Sequence, residues 1–130
     1  MFPKEETISF ETKKLMNPKF KVVFTEEAAD FLDSLSDKAR NKVYFNIDKA
    51  TFINDPEVFK KLEDDIWEFR TLYQQQAIRL FAFWDKDDKT NTLVISTHGL
   101  IKKTQKTPKK EIDKAKQQRV DYFNQKQIKK

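Results

Sequence analysis

Residues 66–84 read IWEFRTLYQQQAIRLFAFW. In the first eight, Trp67, Phe69 and Tyr73 fall on one side of the chain while Glu68 and Arg70 fall on the other, the period of two that marks a half-buried strand. Gln74 to Gln76 make a polar turn. In the run 77–84, Ile78, Leu80, Ala82 and Trp84 then alternate with Arg79, Phe81 and Phe83, so the two runs are expected to form a hairpin. The charged stretch DKDDKTN, residues 85–91, leads into TLVISTHGLI, residues 92–101. Three consecutive strands with short links predict an antiparallel meander.

Upstream of the meander the period lengthens. FKVVF, residues 20–24, suits a buried strand, and Thr25 before Glu26 and Glu27 is a good helix N-cap with acids in the first turn. Ala28, Phe31, Leu32 and Leu35 then form an apolar stripe at helical spacing. Ser36 caps a second helix with Ala39, Val43, Ile47 and Ala50 on its inward face, until Asn54, Asp55 and Pro56 stop it. Downstream, Thr107 and Pro108 open a last helix, although Lys110 in place of an acid removes the capping box. Ile112, Ala115, Val120 and Phe123 dock it. The expected class is α+β in the order β-α-α-β-β-β-α, with a small curved antiparallel sheet packed by two N-terminal helices and a basic C-terminal helix. Residues 16–130 read as a single domain, since MNPKFKVVF is a natural start to the first strand. Residues 1–15 read as an extension, with an extra strand around Ile8 to Phe10 left open.

Composition narrows the chemistry. Of the 130 residues, 38% are hydrophobic and 36% charged, with twelve Phe and two Trp, which suits an aromatic core under a charged surface. There is no Cys and one His, so disulfide and thiolate chemistry are excluded and an all-protein zinc or iron site is not expected. No apolar run has the length of a signal peptide or a membrane helix, so a cytoplasmic location with no membrane partner is expected. The charge is divided unevenly: residues 101–130 hold eleven Lys or Arg against three acids, a balance of +8 that leaves −3 for the first hundred residues of a chain whose total is +5. Clustered cations reward a polyanion through counterion release, and a solvated basic helix is the plain alternative.

Phosphate loops, nucleophile elbows and paired histidines are all missing, so any catalysis must use cations. Cleaving an RNA phosphodiester requires deprotonation of the 2′-OH, stabilisation of the crowded phosphate and protonation of the leaving 5′-oxygen, and Arg and Lys suit the middle task. Arg70 and Arg79 stand on neighbouring strands. His98, Lys102 and Lys103 stand at the end of the third. Arg70 has a duller reading, a surface pair with Glu68. Arg79 interrupts an apolar run and must reach solvent, a carboxylate or a ligand phosphate. An unperturbed imidazole such as that expected of His98 has a pKa of about 6.5, which suits proton transfer, yet a lone His at a strand end is more often structural.

From Ile66 to Arg119 the chain resembles the RelE/ParE toxin superfamily, in particular its HigB-type, phage-derived branch. The carrying residues are IWEFR at 66–70, IRLFAFW with Arg79, and HGLIKKTQKTPKKEIDKAKQQR from His98 to Arg119. The resemblance is loose over Phe20 to Asn54 and does not reach residues 1–15. It implies a RelE-like toxin of a type II toxin-antitoxin system that cleaves mRNA, commonly on the ribosome, without a cofactor. It also implies a cognate helix-turn-helix antitoxin as partner. Arg70, Arg79, His98, Lys102 and Lys103 would carry catalysis, and Thr104, Gln105, Lys106, Lys109 and Lys110 would hold RNA. Several relatives place a Tyr or a second His beside the last strand; here Thr97 precedes His98 and no Tyr follows, so base stacking would fall to another side chain. The superfamily also contains toxins that inhibit DNA gyrase without cutting RNA, and a non-toxic member that only binds its antitoxin is a third reading.

Overall fold

A computed structural model describes residues 18–86, 93–102 and 106–128, with the backbone alone at 93–96 and 128. The expected extension at 1–15, residues 87–91 of the turn expected at 85–91, and the run Lys103, Thr104 and Gln105 lie outside the described residues, while Asp85 ends the strand before that turn. Strand β1 (Lys21–Phe24) ends at Thr25, whose hydroxyl accepts from the Ala28 amide at 3.2 Å and caps α1 (Glu26–Asp33). Ser36 accepts from the Ala39 amide in the same way, also at 3.2 Å, and caps α2 (Asp37–Phe52). The strands β2 (Phe59–Glu63), β3 (Ile66–Tyr73), β4 (Gln76–Asp85) and β5 (Leu93–Lys102) follow, and α3 (Lys109–Ile128) closes the described chain.

The α+β class and the element order agree with expectation, with one strand added. β2, FKKLE, is an edge strand whose Lys60 and Lys61 face solvent, so it shows no apolar alternation. It is a strand because its backbone pairs with β3, Phe59 opposite Phe69 and Lys60 opposite Glu68. The sheet order is β1-β5-β4-β3-β2; β2 to β5 run antiparallel, while β1 lies parallel to β5 at the far edge. That parallel pairing follows from the two helices between them, which carry the chain across the sheet before it returns. The β3–β4 link is tighter than expected: Gln74 and Gln75 have φ of 47° and 67°, the left-handed pair of a two-residue hairpin turn, and Gln76 already belongs to β4.

The sheet is covered on both faces, which explains why AIRLFAFW is almost wholly apolar. Phe69, Ile78, Leu80 and Ala82 pack under Ala28 and Leu32 of α1 and Val43 and Ile47 of α2. On the other face Ile66, Phe81 and Phe83 pack under Ile112 and Ala115 of α3, with Tyr122 and Phe123 beside them. Val120, expected in that stripe, is 47% exposed; Tyr122 takes its place because it falls on the buried side of the helix. None of the described helices is long and apolar enough to cross a membrane.

Gly99 on β5 is where α1 comes closest to the sheet. A Cβ there would sit 2.3 Å from the Phe31 ring, well inside contact distance. Gly99→Ala therefore has to displace the Phe31 ring, and the expected loss of stability is about 1–3 kcal/mol, read from the urea midpoint.

Candidate functional site

Arg70 and Arg79 are direct partners across the β3–β4 ladder. Like charges in that position repel. The carboxylate that offsets them is Glu68, two residues before Arg70 and on the same face: its Oε1 lies 3.4 Å from Arg79 Nε and 3.6 Å from Arg70 Nε. Its Oε2 accepts a 2.8 Å hydrogen bond from the Thr107 hydroxyl, which in turn accepts one of 3.0 Å from Lys102 Nζ. Three cations from β3, β4 and β5 thus meet around one carboxylate, and Thr107, two residues before α3, is tied to them. The side chains of Glu68 and Arg79 are 3% and 5% exposed, whereas that of Arg70 is 25% exposed. Arg79 Nη1 donates to the Ile78 carbonyl at 3.3 Å, but the buried Nε atoms of Arg70 and Arg79 have no hydrogen-bond partner. Their contacts with Glu68 are ionic, at lengths beyond a good N–H···O bond.

Electrostatics reflect this crowding. Burial lowers the Arg79 pKa from its ordinary value, with Glu68 opposing and Arg70 adding to the shift. Lys102 is also lowered by burial, opposed by Glu68 and reinforced by Arg79 and Arg70. Cations held in this way gain from any added negative charge. Arg70 and Arg79 line a cleft of about 380 Å³ together with Glu57, Thr71, Leu72 and Ala77. Thr71 is fixed from behind by Asn46 Nδ2 at 3.0 Å, which anchors the cleft to α2. Another cleft, of about 400 Å³, lies at the opposite end of β4 among Phe20, Phe59, Trp67 and Trp84; it has lysines among its lining residues but no buried cation. Among the described residues, no three His, Asp or Glu side chains group closely enough to hold a metal ion.

The structure brings Arg70, Arg79 and Lys102 together and sets His98 apart. His98 is not at the strand end but within β5, 2% exposed, about 13 Å along the strand from Lys102. Thr97 Oγ1 lies 3.0 Å from its Nδ1, Glu111 Oε2 lies 3.0 Å from its Nε2, and its ring stacks on Phe81. Burial lowers its pKa, reinforced by Lys114, while Glu111 and Glu27 oppose the shift. In this position it fastens α3 to β5. Two residues of the cluster were missed from sequence. Glu68 was read only as a surface partner of Arg70, although period two already put it on that face; its burial was the hidden part. Thr107 was read as a helix cap, and its hydroxyl instead bridges Lys102 and Glu68.

The basic segment is largely paired within the molecule. Lys109 and Lys116 both donate to Glu63 Oε1 at 2.6 Å, Lys116 lies 2.9 Å from Asp64, and Arg119 lies 3.4 Å from Asp65. Lys114 pairs with Glu27, and Lys126 donates to the buried Asp85 at 2.7 Å. The expectation that Lys109 is presented to RNA thus meets a competing acid, since its ammonium lies against the β2–β3 turn. Lys106 and Lys110 are exposed. Each of these surface pairs is weak alone, so the docking rests on their number.

Fold and cleft together define a small α+β protein with an arginine-lined cleft at one end of its sheet. Residues 30–120 match the family of phage-derived Gp49-like proteins (DUF891), and the chain belongs to that family. No curated protein and no solved structure matches the chain.

Two outcomes follow from these contacts. Glu68→Gln leaves two guanidiniums opposed without a counter-charge, and the expected cost is about 3 kcal/mol in urea unfolding. Glu63 has its pKa lowered to about 2, chiefly by the Lys109 hydrogen bond and then by that of Lys116. Because the folded value lies below the unfolded one, its contribution is complete above about pH 4.5 and disappears as pH falls toward 2. Stability measured for the wild type and Glu63→Gln should therefore differ at neutral pH and converge in acid.

Proposed function

We propose that the protein is the toxin of a type II toxin-antitoxin system, of RelE/HigB type, and that it cleaves mRNA without a metal ion. The observation that carries this reading is the convergence of Arg70, Arg79 and Lys102, from three strands, beside one cleft. Membership of the Gp49-like family agrees with a toxin-like protein.

Arg70 and Arg79 bind the scissile phosphate and stabilise the charge that builds as the 2′-hydroxyl gives its proton to solvent water, its oxygen attacks phosphorus and the bond to the 5′-oxygen breaks. Their Nε atoms are turned to Glu68, and Arg70, 25% exposed, is the guanidinium with a face open to the cleft before substrate arrives. Lys102, its pKa depressed by burial, is the better proton donor for the leaving oxygen. Lys103, Thr104, Gln105, Lys106 and Lys110 hold the RNA backbone or ribosomal RNA. His98 serves the fold. A helix-turn-helix antitoxin silences the protein until it is released, and the ribosome supplies the mRNA.

Induction without antitoxin is expected to arrest growth and to generate new 5′ ends in mRNA. Arg79→Ala should stay folded by circular dichroism and lower cleavage by about 10²–10³-fold. A fully active Arg79→Ala protein, or arrest with no new 5′ ends, overturns the assignment.

A further inference from the structure

The cleft that holds the two arginines contains more than a phosphate requires. Leu72 and Ala77 are cross-strand partners at the end of the β3–β4 hairpin, and both line the cleft beside Arg70 and Arg79. Leu72 is 68% exposed, the most exposed of the large hydrophobic side chains among the described residues. An apolar side chain left in water beside two cations offers a surface for a flat, partly apolar group carried on a phosphate. A nucleobase has that shape and attachment.

Glu57 lines the same cleft. The Arg70 amide donates to the Val58 carbonyl at 2.7 Å, which holds the turn containing Glu57 against the end of β3. Glu57 is exposed, lines the cleft, and makes no side-chain hydrogen bond or ion pair among the described residues. The neighbouring carboxylate is already engaged: Asp55 accepts from the Glu57 amide at 3.0 Å and pairs with Lys49 at 3.7 Å. One wall of the cleft therefore presents a single uncommitted carboxylate, which when ionised only accepts hydrogen bonds.

Resting on the nuclease reading of the same cleft, we infer that Leu72, Ala77 and Glu57 form a base subsite that selects guanine beside the phosphate held by Arg70 and Arg79. Guanine presents N1–H and the N2 amino group side by side on its Watson–Crick edge, two donors that match the two oxygens of one carboxylate. Adenine and cytosine offer one amino group beside an acceptor nitrogen, which the carboxylate repels. Uracil offers one N–H between two carbonyl oxygens. The shelf serves any base and the carboxylate discriminates, so the two contributions are separable. No aromatic stacking partner is needed at this position.

Binding and cleavage are read separately. The purified protein is titrated with the four nucleoside monophosphates, as 3′- and as 5′-phosphates, and new mRNA 5′ ends are mapped in cells after induction. The expected result is guanosine monophosphate binding at least about tenfold more tightly than the others, and guanine enriched at one fixed position adjoining the cut. Glu57→Gln, an exposed substitution that spares the fold, should abolish both preferences. Leu72→Asp should weaken all four nucleotides alike. Equal binding of the four nucleotides, or a guanine preference that survives in Glu57→Gln, overturns the subsite even where mRNA is cut. Selective guanosine monophosphate binding without any new 5′ ends supports the subsite and overturns the nuclease reading instead.

Discussion

Two guanidiniums placed directly across from one another on adjacent strands repel, and burying them makes the repulsion worse. In this protein Arg70 and Arg79 hold those positions, and the arrangement is tolerable because the Glu68 carboxylate lies within 3.6 Å of both Nε atoms. A buried carboxylate needs its own partners in turn, and it takes them from Arg79, Arg70 and the Thr107 hydroxyl. Through Thr107 the balance extends to Lys102 and to the start of α3. Charge neutrality at one point thus links β3, β4, β5 and the last helix.

That linkage gives the cleft its character. Cations exposed to water are mobile and screened, whereas Arg79 is held by a buried ion pair on a strand whose next two residues on that face are Phe81 and Phe83. The arginines remain undersatisfied after Glu68 has been counted, since neither Nε finds a hydrogen-bond acceptor. Donors fixed before reaction stabilise charge that appears during it, and Arg70, 25% exposed, is the guanidinium that reaches the cleft. The same reasoning separates this cleft from the aromatic one at the other end of β4, which offers surface but no buried cation.

The basic C-terminal segment illustrates why net charge is a poor guide to a partner. Its surplus is met in large part by Glu27, Glu63, Asp64, Asp65 and Asp85, which lie on α1, at the β2–β3 turn and at the end of β4. The charge asymmetry of the chain is therefore partly a docking device for α3, and the cations of the cleft, few in number, come mostly from the sheet.

Much of the fold was legible in the residue pattern, because helix caps and apolar periods are local: Thr25 and Ser36 cap as expected, and the alternation in residues 66–84 marks both strands and both of their faces. Edge strand β2 was not legible, since two lysines break its pattern and only its pairing with β3 makes it a strand. The same division holds for the site. Arg79 announced itself as a charge in an apolar run. That His98 would be buried beneath α3, that Glu68 would lie between two arginines, and that Thr107 would bridge to Lys102 depended on β-strand register and on where the last helix lands. Periodicity assigns a residue to a face; only the packed chain decides which other residues share that face and whether water reaches it.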